Sequence, residues 1–458
     1  MKGLKIILTI ITIVTVVHTK AQIWSSVNGG VTYGSSSTVS ALKVFDGKLY
    51  VTGNFNTAGN VTCNNIAIWN GSNWDTIPGG GIEDGANDMC VYNGNLFIGG
   101  GFQYAGMVAN TRQVAGHNGN NWFALGLGGT EIAARVYTIA SYNGTLVLGG
   151  NFTQFGGLPF NGIGRIVRWM GSYWDKMSGG VTGGMMTSIY CMAEYNDKLY
   201  VGGDFTKAGN VPANYIATWD GVKWDSIGSG ADGVIVQMFV DTTNNELYIH
   251  GGISIINGIS TIGIAKYDGT QWTNIPTPPT SNGFGRIGFY HGYLFTVNSK
   301  NTNLDTTFAY YDGINWHSLL NGPNGFLSSW AEYKDTLYIG GYFDSVGTQK
   351  VNSIAKFFIP QNPNSVKPLL ERKNSSELLA NIPNPFEEET TITFALPKRE
   401  KGIIKVFNSS GVCVRELNLK PESNKIDFKS NDLENGIYYY TLVVNETQVK
   451  TKKMIICK

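Results

Sequence analysis

The stretch Leu199-Tyr200-Val201-Gly202-Gly203-Asp204-Phe205 is followed by Ala208-Gly209, then by Ile216-Ala217-Thr218-Trp219-Asp220-Gly221, then by Trp224. Its leucine-aromatic-aliphatic head recurs at Leu49, Leu96, Leu146, Leu199, Leu247, Leu294 and Leu337. Self-similarity at a period of roughly 40 to 50 residues marks propeller blades. Each copy parses into four short strands. The first ends in Asp46-Gly47, Asn93-Gly94 or Asn143-Gly144, pairs that tolerate the positive φ of a two-residue hairpin turn. The second is the LYVGG phrase and the third the IATWDG phrase. A further turn (Asn70-Gly71, Asn118-Gly119, Asp220-Gly221, Asp268-Gly269, Asp312-Gly313) leads into a fourth strand that opens on Trp74, Trp122, Trp174, Trp224, Trp272 or Trp316.

The last copy stops near Phe357 without its tryptophan. Ile23-Trp24-Ser25-Ser26-Val27-Asn28-Gly29-Gly30 matches the run Tyr173 to Gly180 around Trp174, so the missing outer strand lies at the start of the mature chain. The expected fold is all-β: a seven-bladed propeller of four-stranded blades, closed by its N-terminal strand so that no sheet edge is left open. The doublets Gly99-Gly100, Gly149-Gly150, Gly202-Gly203, Gly251-Gly252 and Gly340-Gly341 read as points of close backbone approach, and the tryptophans as inter-blade packing. The sixth copy, from Leu294 to Asn298, has lost its doublet.

Composition agrees. Of 458 residues 59 are glycine, 12% are aromatic and only 15% charged, which suits short strands and tight turns. Net charge is +1, without a basic run in the first three quarters, so no nucleic acid is expected as partner. Lys2 and Lys5 precede an apolar run from Ile6 to Val17, which reads as a signal peptide over residues 1–21. No other stretch approaches the roughly 20 apolar residues of a membrane span. Five scattered cysteines offer neither a disulfide framework nor metal-ligand spacing.

Residues 22–358 resemble kelch repeats and their galactose-oxidase-like relatives in the aliphatic strand ending in Gly-Gly, the aromatic of the third strand and the tryptophan of the fourth. The loop carrying Phe-x-x-Ala-Gly departs from the usual kelch form, and the copper chemistry of those oxidases finds no matching ligands. A Pro-, Asn- and Ser-rich linker follows over 359–378, then a small Ig-like β-sandwich over 379–458. Its motifs are Asn381-Ile382-Pro383-Asn384-Pro385-Phe386 at the head, Phe407-Asn408-Ser409-Ser410-Gly411, Asn435-Gly436-Ile437-Tyr438-Tyr439-Tyr440, and a closing Lys450-Thr451-Lys452-Lys453-Met454-Ile455-Ile456. These resemble the type A sorting domain of type IX secretion. The resemblance implies engagement of that machinery, removal of the domain, and release or attachment at the outer surface of a Gram-negative cell.

Histidines are few, and repeat register accounts for them: His117 stands where other blades carry Trp or Tyr, His250 replaces a doublet glycine, His291 a hairpin Asn, and His317 follows Trp316. No metal or cofactor is expected. Asn54-Phe55, Asn151-Phe152 and Asp204-Phe205 read as turn caps with an anchoring Phe rather than calcium ligands. Both hairpins of a blade lie on one face of the ring, so the long loops emerge on the other, which becomes the candidate binding face. Its charged residues nearest the channel are Asp84, Glu131, Arg135, Asp232 and Arg286. The functional expectation is a binding, adhesion or structural module whose ligand is a glycan or a surface protein. The alternative is a carbohydrate-active lyase or hydrolase with carboxylates at the channel mouth.

Overall fold

A computed structural model describes residues 24–34, 36–129, 134–158, 163–242, 244–276, 286–298, 307–319, 322–357, 377–396, 402–419, 425–444 and 447–457. The expected signal peptide and all but the end of the expected linker lie outside the described residues. The chain divides into two compact units, Met1–Asn362 and Pro363–Lys458.

Among the described residues the first unit contains seven four-stranded antiparallel sheets in which sequential strands neighbour one another. Thr38–Phe45, Lys48–Asn54, Ile66–Trp69 and Trp74–Thr76 form the first. The last is assembled from both ends of the unit: Ser25 and Ser26 pair with Lys356 and Ala355 outside the strand Ile354–Phe357. Trp24 stacks there on Phe357 with ring centroids 4.4 Å apart and meets Phe308 edge-on at 5.1 Å. Hydrophobic clusters straddle neighbouring sheets. Ala41, Phe45, Tyr50 and Ile68 of the first pack with Ile82, Met89, Leu96 and Trp122 of the second.

The two hairpins of a sheet close by different chemistry. In the first, both central residues are left-handed, as at Asp46 (φ 48°) and Gly47 (φ 64°). In the second, the Asn or Asp side chain accepts two backbone N–H groups, as Asn70 Oδ1 does from Ser72 and Asn73, both at 2.9 Å. A tyrosine closing the first strand then reaches the next sheet's turn. The hydroxyls of Tyr92, Tyr142, Tyr195, Tyr290 and Tyr333 donate to the carbonyls of Gly144, Asp197, Asn245, Asp335 and Gly47, at 2.8 to 3.1 Å.

On the opposite face the tryptophans do equivalent work. The indole N–H of Trp74 donates to Val27 at 2.8 Å, Trp122 to Gly80 at 2.7 Å, Trp174 to Leu125 at 3.2 Å, Trp224 to Met177 at 2.7 Å and Trp316 to Pro276 at 2.6 Å. Every acceptor is a carbonyl of the preceding inter-sheet loop. The Ala-Gly element of the departing loop completes the clasp. Gly59, Gly106, Gly156 and Gly209 sit at φ 54° to 59° against the indole edge, and their N–H groups bond to Gly30, Gly81, Gly128 and Gly180. Around this contact the loops form small ribbons of their own, such as Val31–Thr32 with Thr57–Ala58 and Val61–Thr62.

The glycine doublets mark two different approaches. A Cβ on Gly99, Gly149, Gly202 or Gly340 would lie within 2.8 Å of Val136, Ile189, Ile235 or Val39 of the next sheet. One on Gly150, Gly203 or Gly341 would lie about 2 Å from the carbonyl of Arg135, Ser188 or Phe326 in the adjacent first strand. In the fifth sheet the equivalent pair is His250-Gly251; a Cβ on Gly252 would meet nothing, so that glycine is not part of the doublet.

The second unit holds a three-stranded sheet (Glu377–Ile382, Glu389–Ala395, Lys425–Lys429) and a four-stranded one (Cys413–Asn418, Gly402–Asn408, Gly436–Val444, Thr447–Ile456). They share a core of Leu378, Phe386, Ile392, Phe394, Ile404, Val406, Phe428, Tyr440, Leu442, Met454 and Ile456. The head motif is clasped to the closing strand. Asn384 donates to Lys453 O at 3.0 Å and accepts from Ile455 N at 2.8 Å, while Phe386 exchanges backbone bonds with Ile455 and Cys457.

Gly156→Ala drives a methyl to 2.1 Å from Trp174 Cδ1 at a left-handed φ, whereas Gly94 has the same kind of φ with nothing nearby. Urea unfolding is expected to show a loss of about 2 to 4 kcal/mol for Gly156→Ala against about 1 kcal/mol for Gly94→Ala. Equal losses would show that the clasp contributes nothing. Trp24→Ala should lower the melting temperature and selectively shorten hydrogen-exchange protection over Ile354–Phe357, whose outer neighbour it anchors.

Candidate functional site

The first strands of the sheets line a central cavity of about 800 Å³. Among the described residues six of them carry a β-bulge at the same place, where the pairing skips Ser40, Asn87, Tyr137, Tyr190, Val236 and Ser328. A bulge inserts one unpaired residue and re-aims the side chains beside it. All six line the cavity at its long-loop end. Tyr137 and Tyr190 stack there, centroids 5.5 Å apart and planes 28° from parallel.

The residue after each of these bulges forms the next layer, four positions before the one that closes the strand: Ala41, Asp88, Thr138, Cys191, Gln237 and Ser329, with Arg286 at the corresponding position of the sixth sheet. Several bridge to the next sheet. Ser329 Oγ accepts from Leu42 N at 3.0 Å, Gln237 bonds both N and O of Ile287, and the Cys191 thiol faces Ile235 O at 3.9 Å. Asp88 accepts from Met89 N at 2.8 Å and from Ile139 N at 2.9 Å. Burial raises its carboxyl pKa, against those bonds and the Lys43 charge. Arg286 differs in kind. It lines the cavity as an exposed residue, and desolvation lowers its pKa although Cys191 and Asp88 pull the other way. Two residues deeper, Lys43 shares a layer with Cys90, Ala140 and Ala193.

The charged residues expected at the face do not form one cluster. Asp84 and Arg135 pair at 3.4 Å, with side chains 50% and 45% exposed. An ion pair this open contributes at most about 1 kcal/mol. Asp232 accepts from Ser254 N and Ile255 N and holds a turn. Glu131 lies outside the described residues. Of the four that are described, Arg286 alone lines the cavity. Tyr137, Tyr190, Asp88 and Lys43 belong to it without having been singled out. The usable signal was a polar or aromatic pair opening the first strand of successive repeats (Asn87-Asp88, Tyr137-Thr138, Tyr190-Cys191, Ser328-Ser329), where plain alternation would bury one member. The expected turn caps take their places: Asn151 accepts from Arg135 N and Asp204 from Met186 N, beside fully buried Phe152 and Phe205.

His117 is buried, its ring nitrogens meeting Pro78 O and Gly119 N. His291 Nε2 lies 2.8 Å from Asp335 and 3.8 Å from Glu332, a trio with the spacing of metal ligands that sequence reading did not anticipate. Its carboxylates are well exposed, and the contact joins the sixth sheet to the seventh beside the Tyr290–Asp335 bond. Cys90 and Cys191 line the cavity as buried thiols. Burial pushes Cys90 up to about 11 and Cys191 higher still. At pH 8 a disulfide reagent should therefore titrate Cys413 and Cys457 fast in the native protein, and Cys90 and Cys191 only after unfolding. Fast native labelling of Cys191 would contradict the packing of its layer.

Three family models match parts of the chain: a secretion system C-terminal sorting domain over residues 382–457, the Rax2 C-terminal beta propeller domain over 175–329, and a beta-propeller domain of unknown function (DUF5122) over 46–67. No curated protein matches the chain in sequence. Among solved structures, the extracellular domain of a one-component system from B. thetaiotaomicron is 10% identical with a TM-score of 0.44, over 96% of this chain and 58% of that one. A fungal alcohol oxidase of the AA5 family in complex with copper is 12% identical with a TM-score of 0.45, over 95% of this chain and 100% of that one. The beta-propeller domain of the Trilobed protease from Pyrococcus furiosus is 11% identical with a TM-score of 0.39, over 70% and 95%. The chain spans 58% of the length of the first of these. The protein is thus a β-propeller followed by a type IX secretion sorting domain, secreted or displayed on the surface of a Gram-negative bacterium.

Proposed function

We propose that the propeller is a non-catalytic binding module of the cell exterior, and that its ligand, a glycan or a surface protein, enters the central cavity from the long-loop face. The observation that carries this reading is the cavity wall itself. Six bulges turn Tyr137, Tyr190 and small polar side chains into a space of about 800 Å³, within the range of ligand sites. Asp84 and Arg135 stand at its rim and Arg286 inside, while Asp232 holds the neighbouring loop. The type IX sorting domain supports a role outside the cell.

The competing reading is a secreted carbohydrate-active enzyme, and Asp88 is what favours it: a carboxyl whose pKa burial raises, inside a cavity, has the profile of a general acid. Against it, both Asp88 oxygens already accept backbone N–H bonds, one of them from Ile139 of the next sheet, so protonation would weaken bonds that hold the strand and join the sheets.

The test is a glycan and surface-protein array probed with the purified protein and with Tyr137→Ala and Asp84→Asn/Arg135→Gln variants. A specific ligand is expected whose signal falls at least about tenfold in Tyr137→Ala without a change in melting temperature. Signals indifferent to every variant would remove the cavity as the site. Release of new reducing ends or unsaturated sugars from a bound glycan, lost in Asp88→Asn, would replace the binding reading by the enzymatic one.

A further inference from the structure

Resting on that reading, we propose that the cavity selects an acidic sugar, a glycan unit whose carboxylate or sulfate is met by Arg286 and Lys43 while its ring lies on the Tyr137–Tyr190 pair.

The charges in the wall are not equivalent. Asp88, the acid of the layer below the mouth, has its oxygens occupied by Met89 N and Ile139 N. Glu194 lines the hairpin end, close enough to Tyr142 to raise its pKa, and so lies far from the mouth. Among the described residues neither the Arg286 guanidinium nor the Lys43 ammonium has a hydrogen-bond acceptor or an ion-pair partner. The titratable groups they feel are Asp88 and the neutral thiols Cys191 and Cys90, and the rest of the wall beside them is uncharged, with Gln237, Met238 and Ser329 among it. Anions approaching from the long-loop face therefore meet two unsatisfied cations in a confined, partly desolvated space, where a charged hydrogen bond is stronger than in open water.

Repeat register makes the point independently. At the Arg286 position other sheets carry Asp88, Gln237 or Ser329, each spending its polar atoms on the backbone of the next sheet. Arg286 has donors in the same place and spends none there. A guanidinium presents a planar fork that matches a carboxylate or sulfate. Above it the two tyrosines offer near-parallel faces 5.5 Å apart, half-buried and open to the cavity, a surface for the C–H face of a sugar ring. A bare inorganic anion would use the cations and leave the rings idle.

The experiment is calorimetric titration of the intact purified protein with oligogalacturonate, dextran sulfate, neutral oligogalactan and inorganic sulfate, in wild type and in Arg286→Gln, Lys43→Gln, Tyr137→Ala and the surface control Lys223→Gln. Binding of oligogalacturonate or dextran sulfate is expected, weakening with salt, with neutral oligogalactan at least about tenfold weaker. Arg286→Gln and Lys43→Gln should each cost about tenfold or more and Lys223→Gln nothing. The two charged polymers separate carboxylate from sulfate. Inorganic sulfate binding as tightly as either polymer, or failure of both polymers to bind, overturns the inference. If neutral oligogalactan, or a ligand from the array, binds and is lost in Tyr137→Ala but not in Arg286→Gln, the cavity reading stands and the acidic-sugar inference falls. If every ligand is indifferent to all three cavity variants, both fall.

Discussion

The rest of the propeller depends on one contact, the indole of a fourth-strand tryptophan lying against a left-handed glycine of its own sheet's loop and donating to a carbonyl of the loop before. A sheet of four short strands cannot stand alone in water and needs a neighbour on each face. The tryptophan is what attaches the incoming connection to the sheet it enters, and glycine serves best beside it, because at Gly59, Gly106, Gly156 and Gly209 the indole edge lies where a Cβ would project; the fifth sheet places the left-handed Asn257 there instead. Tyrosine hydroxyls do the corresponding work on the hairpin face. Most sheets are therefore tied at both ends, at the outer rim by tryptophan and near the axis by tyrosine; in the fifth the Trp272 indole N–H is buried without a partner and the first strand closes on Asp241.

Such ties leave the first strands with little freedom, and the consequence is the lumen. The next sheet's Val or Ile presses on the first glycine of the doublet, and the second lies against a carbonyl beside its own first strand. Opposite this pair the first strand bulges, in the fifth sheet as well, where His250 stands in the first glycine's place. The residue the bulge expels is unpaired in the ladder and differs from sheet to sheet. Serines, asparagine, valine and two tyrosines occupy a position whose partners across the ring are otherwise held alike. Departure from the repeat concentrates in the bulge and the layer beneath it, where Asp88, Cys191, Gln237 and Arg286 differ in charge and size on one scaffold.

The C-terminal unit solves a different problem. Its head motif and closing strand, some seventy residues apart in the chain, meet through Asn384 and Phe386, so the segment that begins the domain and the one that ends it form one surface. A sorting signal built this way exists only in the folded state. The buried core of Phe394, Val406, Phe428 and Tyr440 is what holds the two motifs in register.

Residue pattern by itself determined the all-β class, the repeat, the tryptophan positions, the supply of the last sheet's outer strand by the run around Trp24, and the sorting domain. Each rests on local chemistry: alternating apolar residues, Asn-Gly and Asp-Gly turns, and glycines at fixed offsets from aromatics. His117 shows how far this reaches, since its register alone marks it as a core residue and it is one. What the pattern left open was the site. Asp84 and Arg135 pair with each other, Asp232 is spent on a turn, and Arg286 lines the cavity, distinctions that follow from which groups lie near and not from residue type. A bulge has no sequence signature, because any residue can be the unpaired one. Only the closing of seven sheets around an axis decided that Tyr137 and Tyr190, fifty-three residues apart, stack at one mouth, and that Arg286 and Lys43 face a common lumen. Contacts across the ring depend on the sum of all the turns between them, and no single repeat contains that information.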